Sequence, residues 1–152
     1  MLTANAPILI APSALTFQRD LPGFRGARHF KVEPLGGSLS GIFANLCCTD
    51  TVYLQDELPL NNLVLLTMSP GALWPDYEVH VEDEMVDQLE IREPDDVALL
   101  VIVHPQEPLI NSTVNLYSPI VYNRRTGAAD QLVPSVTEEE FRWSLRTPFP
   151  KE

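Results

Sequence analysis

The apolar residues of this chain come in short bursts broken by turn formers. "PILI" (7–10), "LTF" (15–17), "HFKV" (29–32), "GIFANL" (41–46), "TVYL" (51–54), "LVLLTM" (63–68), "VALLVIV" (97–103), "TVNLYSPIVYN" (113–123) and "QLV" (131–133) carry them. Between them stand "DLPGF", "PLGGS", "DELPLNN", "SPGALWPD", "EPDD" and "RRTGAAD". Bursts of this length, with Pro and Gly between them, predict strands joined by tight turns, an antiparallel all-β arrangement. The 14 prolines among 152 residues are about twice the usual share. Proline removes a backbone donor, so long helices and unbroken central strands are disfavoured.

Local patterns sharpen this. "VALLVIV" is apolar at every position, as expected of a central strand covered on both faces. "NRRTGAADQ" reads as a hairpin loop that pairs "PIVY" with "QLV". In "LPGF", Pro22 sets the bend and Gly23 admits positive φ, which predicts a turn. Two short helices are expected. In "VHVEDEMVDQLEI", Val81, Met85 and Leu89 lie four apart with Val86 beside them. In "TEEEFRWSLR" (137–146), Thr137 and Glu140 fit a capping box, and Phe141 and Leu145 are four apart.

The formal charge of −11 is local rather than general. Residues 76–96 hold ten carboxylates and one base, Arg92, a net of −9. Residues 1–45 carry Arg19, Arg25, Arg28 and Lys31 against Asp20 and Glu33, a net of +2. Self-repulsion of this kind opposes compaction, so a bound cation, a basic partner or solubility alone must account for it. The sign argues against nucleic acid and suits a basic protein surface. Part of the acid has a local explanation, since carboxylates in the first turn of a helix face the positive end of its dipole.

Catalytic signatures are missing: no Gly-rich phosphate loop, no GxSxG and no HExxH. "HVE" at His80–Glu82 matches half of a zinc-deaminase pattern, without the PCxxC half. The acid stretch lacks the central glycine of a calcium loop. No cofactor or metal is expected. Cys47 and Cys48 are adjacent, which suits two small apolar residues in a strand and not a disulfide framework. The N-terminus lacks a basic n-region and a long apolar run, and no stretch approaches the ~20 apolar residues of a membrane span. Reduced thiols and the missing leader predict a cytoplasmic protein.

The order of segments carries a further signal. "LPGF", then "PDYE", an acidic helix, "DDVALLVIVHP", "STVNLYSPIVYN" and "GAADQLV" together resemble the FliW family of flagellar assembly factors. The resemblance is clearest over residues 15–133 and most specific at Asp76–Glu78 and Asn115–Asn123. Residues 41–69 depart from the family pattern, being longer and carrying Cys47–Cys48. The resemblance implies a single compact domain over 1–152, barrel-like, monomeric when free and without catalytic activity or cofactor. It implies two protein partners: flagellin, and CsrA, a small basic RNA-binding translational repressor that the family antagonises. Flagellin and CsrA compete, so secretion of flagellin releases the factor to capture CsrA. On this reading Asp76, Glu78, Glu82, Asp83, Glu84 and Asp87 form the CsrA-facing surface. Leu73, Trp74 and Tyr77 are the expected apolar contacts for flagellin. Two alternatives stay open: a flagellin-only chaperone, and a small β-barrel enzyme with converging acids.

Overall fold

The computed structural model describes residues 2–4 (backbone), 13–37, 41–55, 58–134 and 143–150. At its centre is a closed barrel of seven strands. β2 (Ala14–Phe17), β3 (His29–Pro34), β4 (Phe43–Cys48), β7 (Val64–Met68) and β9 (Val97–His104) run antiparallel to their neighbours in that order. β11 (Ile120–Asn123) and β12 (Ala128–Gln131) complete the ring. The closing seam, between β12 and β2, is parallel, with Ala128 opposite Thr16 and Ala129 opposite Phe17. Closure leaves none of the seven strands with a free edge.

Period-2 alternation sets the interior. In β2 and β3, Leu15, Phe17, Phe30 and Val32 point inward while their neighbours face solvent. Phe17 and Phe30 meet edge to face at 5.2 Å. β9 is the exception that the sequence announces: Val97–Val101 are all buried. Its outer face is covered because β1 (Leu2–Ala4) runs close to it, paired with β8 (Val79–Val81) in a separate ribbon. Each fully buried Leu or Val of this kind contributes up to ~1.5–3 kcal/mol.

Shorter elements decorate the barrel. β5 (Val52–Tyr53) and β6 (Pro59–Leu60) form a small hairpin. β10 (Thr113–Val114) adds to the C-terminal half of β9, and β13 (Thr147–Pro148) adds to β10. The one α-helix among the described residues, α1 (Asp83–Gln88), lies on the flank of the barrel. No helix there is long and apolar enough to cross a membrane.

The expected turn at "LPGF" is present: the Phe24 amide donates to the Leu21 carbonyl and Gly23 has φ +88°. The expected hairpin is present with a shifted register. Its second strand is Ala128–Gln131, not the "QLV" burst, because Gly127 at φ +83° lets the chain turn back after four loop residues. The acidic helix is shorter than its apolar stripe suggests. Val79 and Val81 are buried on the strand β8, with His80 outward, and the helix starts only at Asp83. Most of the expected helix at 137–146 lies outside the described residues, and its described end, Trp143–Arg146, is bend and turn. The burst at 7–10 also lies outside them.

Candidate protein-binding surface

The acidic stretch divides into exposed and internal carboxylates. Asp76 and Glu78 follow Trp74 on the approach to β8 and face solvent. The alternation of β8 turns Val79 and Val81 inward, which leaves Glu78, His80 and Glu82 outward. In α1, Met85 packs inward and Val86 is half-buried, so Asp83, Glu84 and Asp87 are left on the outer side. Asp83 and Glu84 stand in the first turn, where the helix dipole favours them. All six acids expected to face a partner are thus exposed within residues 76–87.

Asp96, by contrast, is buried and structural. Its carboxylate accepts the Arg92 amide at 3.0 Å and lies 3.7 Å from the Arg125 guanidinium. The Arg92 amide, with Arg125 beside it, holds its pKa below the ordinary carboxylate value. Asn123 locks the same end of the barrel. Its side-chain amide donates to the Leu89 and Glu90 carbonyls, and its oxygen accepts the Arg125 and Thr126 amides. This brace fixes the end of α1 against the β11–β12 turn. Asn115 does similar local work, accepting the Ser118 amide at 2.9 Å.

The apolar contacts expected at Leu73, Trp74 and Tyr77 are placed differently. Trp74 is 9% exposed and Tyr77 only 1%. Leu73 is half-buried against the core. The Tyr77 hydroxyl donates to the Leu116 carbonyl at 2.8 Å, and its ring meets Trp143 edge to face at 5.3 Å. Trp74 packs with Phe149 at 6.4 Å. These aromatics pin the 70–78 segment and the C-terminal strand onto the barrel and present little apolar surface to solvent.

The open apolar surface is elsewhere, at one mouth of the barrel. The strand ends there are Phe17, His29, Cys48, Val64, His104, Ile120 and Gln131. They surround a cavity of about 570 Å³ lined by Leu21, Phe24, Val64, Ile102, Val133 and Leu145, among others. Val64, Val133 and Leu145 are exposed at its rim. Two polar side chains of the wall are hydrogen-bonded to backbone: the Ser118 hydroxyl to the Leu132 carbonyl, and the Gln131 amide to the Ser118 carbonyl. His104 also lines the mouth; burial, with Arg146 nearby, holds its pKa below the ordinary value. A smaller cleft of about 250 Å³ adjoins the mouth through the shared Val133 and is lined by Glu82, Glu84 and Arg19. Sequence reasoning missed this site because its walls come from six separate segments.

One cluster at the same end of the barrel, outside the cavity lining, combines thiol, carboxylate and imidazole. Asp50 accepts the Arg28 and His29 amides and lies 3.2 Å from the His29 ring, with the Cys48 sulfur 3.9 Å away. Burial pushes the Cys48 thiol up, so it stays protonated and a poor nucleophile. The carboxylate is engaged in holding the β3 backbone. Among the described residues no group of three or more His, Cys, Asp or Glu is disposed to hold a metal ion.

Comparison with known proteins places this arrangement. The sequence profile described as "FliW protein" matches residues 5–149, nearly the whole chain. The chain belongs to the FliW family. A flagellar assembly factor FliW of Thermosipho africanus is 32% identical over 136 residues, 86% of this chain and 83% of the relative. One of Oceanobacillus iheyensis is 32% identical over 138 residues, 91% of this chain and 86% of the relative. That of Anoxybacillus flavithermus is 29% identical over 119 residues, 78% and 74% of the two chains. A crystal structure of the flagellar assembly factor FliW superposes with a TM-score of 0.72 over 99% of both chains at 23% identity, which establishes the shared fold. The FliW barrel therefore carries, in this member, an exposed acidic ribbon and helix beside an apolar mouth.

Proposed function

We propose that this chain is a cytoplasmic flagellar assembly factor that acts by binding and not by catalysis. It binds flagellin and antagonises the basic translational repressor CsrA, which couples flagellin synthesis to secretion. The observation that carries the reading is the exposure of Asp76, Glu78, Glu82, Asp83, Glu84 and Asp87 in one continuous stretch of a FliW-family chain. Buried, these carboxylates would be structural, as Asp96 is. Exposed and of one sign, they create a field that steers a cationic protein and raises its rate of encounter. Each contact at an exposed rim contributes only ~0.2–1 kcal/mol, so the surface acts collectively. Asp83, Glu84 and Asp87 gain rigidity from α1, whose Met85 and following Leu89 are anchored in the core.

The mechanism is sequestration. With flagellin retained in the cell, the factor is occupied by it. Export of flagellin vacates the factor, which then captures CsrA and relieves repression. Copurification of the tagged chain from its own cells tests the reading. Recovery of both flagellin and CsrA is expected. Flagellin without CsrA would reduce the reading to a flagellin chaperone, and recovery of neither would overturn it.

A further inference from the structure

We propose that the barrel mouth is a docking site for an amphipathic helical segment, apolar along one face and carrying Lys or Arg at the end that lies beside Glu82 and Glu84. The proposal rests on the flagellin reading above and locates its site.

The mouth is open to an apolar ligand. Val64 and Val133 at its rim are 51% and 64% exposed. Its volume of about 570 Å³ falls within the range of ligand pockets. Filling it costs little desolvation of Ser118 and Gln131, whose side chains are already hydrogen-bonded to neighbouring backbone.

The backbone of the barrel selects a helix. An extended peptide gains affinity by adding to a free sheet edge. Here the seven barrel strands close on one another, and at the mouth only the short stretch Val64–Leu66, laddered with β4 alone, is not laddered on its second side. A segment entering the mouth finds no more than that short stretch to pair with, so most of its amide groups are satisfied within itself, as in a helix that buries residues at i, i+3 or i+4 and i+7.

Charge fixes the rest. Val133 belongs both to the mouth and to the cleft lined by Glu82 and Glu84. Arg19, the base of that cleft, is committed to Asp130 at 2.9 Å. A side chain leaving the mouth past Val133 thus meets two glutamates, and the complementary group is a cation.

The test uses the intact protein with two probes: flagellin from the same cells, and a fluorescent synthetic helix of about 18 residues, some five turns. The helix has a Leu stripe and Lys at one end, and its twin has Glu in place of Lys. Val64→Asp and Val133→Asp change exposed side chains and are checked for fold by circular dichroism. Each is expected to weaken both probes by about tenfold, as a carboxylate replaces an apolar contact at the rim. Wild type should prefer the Lys helix, and Glu82→Gln with Glu84→Gln should shrink that preference. Equal binding of the two helices, or no effect of either Asp variant on the Lys helix, overturns the proposal. Loss of Lys-helix binding in the variants with no flagellin binding by wild type leaves the site standing and removes the flagellin reading. Normal flagellin binding by both Asp variants removes the site as flagellin's seat. A wild-type dimer that Val133→Asp splits, with helix binding unchanged, assigns the mouth to a second copy and overturns the proposal.

Discussion

Tyr77→Phe separates a core pin from a surface contact. The phenol is buried, which pushes its pKa well above the ordinary tyrosine value, and its hydroxyl donates to the Leu116 carbonyl at 2.8 Å. Phenylalanine keeps the ring, its contact with Trp143 and the packing of the 70–78 segment, so no cavity opens. What changes is one hydrogen bond and a carbonyl left without that donor in an apolar surrounding. That loss costs about 1–3 kcal/mol. For a chain of this size each kcal/mol lowers Tm by roughly 2–4 °C, so a fall of about 4–8 °C is expected for a mid-range cost. Urea unfolding should show a lower midpoint with an unchanged m-value, because the exposed area on unfolding is the same. Flagellin affinity of the folded variant should equal that of wild type. A variant with wild-type Tm and weakened flagellin binding would refute the reasoning and return Tyr77 to the surface.

Two further perturbations probe the opposite end of the barrel. Asn123→Ala removes a fully buried amide that serves four backbone groups, and about 2–4 kcal/mol of stability should go with it, read as a lower urea midpoint. Asp96→Asn tests the pH dependence. A carboxylate held below its ordinary pKa of 3.8 stabilises the fold above that value and loses this contribution as pH falls through the lower, folded value. The Tm gap between wild type and Asp96→Asn should therefore be constant near neutrality and narrow below pH 3.8; a gap that widens in acid contradicts the assignment.

Local features were legible and long-range ones were not. Strand β9 announced itself because a run apolar on both faces has no solvent side, and "LPGF" did so because Pro22 and Gly23 satisfy one turn geometry. The boundary between β8 and α1 was hidden because Val81, Met85 and Leu89, four apart, fit a helical stripe, while Val79 and Val81, two apart, fit a strand face, and Val81 belongs to both patterns. Only the pairing of Val81 with Leu2 decides it. The burial of Trp74 and Tyr77 was likewise hidden, since the covering residues, Leu116, Trp143 and Phe149, lie 39 or more positions along the chain. The parallel seam between β2 and β12, which makes the barrel and its mouth, joins residues more than 100 apart. No periodicity records such a pairing. The acidic surface was the opposite case. Its charge is a property of composition, so the six acids could be named beforehand, whereas their exposure rests on the alternation of β8 and the short α1, which the fold supplies.

The docking role of those acids is open to a kinetic measurement. Glu82→Gln, Asp83→Asn, Glu84→Gln and Asp87→Asn preserve shape and remove four charges. Exposed charges act on the association rate and its salt dependence, within a Debye length of about 8 Å at physiological salt. Stopped-flow association with CsrA over a salt series should show a steep fall for the wild-type chain, and a slower rate with a flatter slope for the quadruple variant. At low salt the expected difference is about tenfold or more. Equal rates and equal salt slopes for the two proteins would contradict the acidic surface as the seat of CsrA binding.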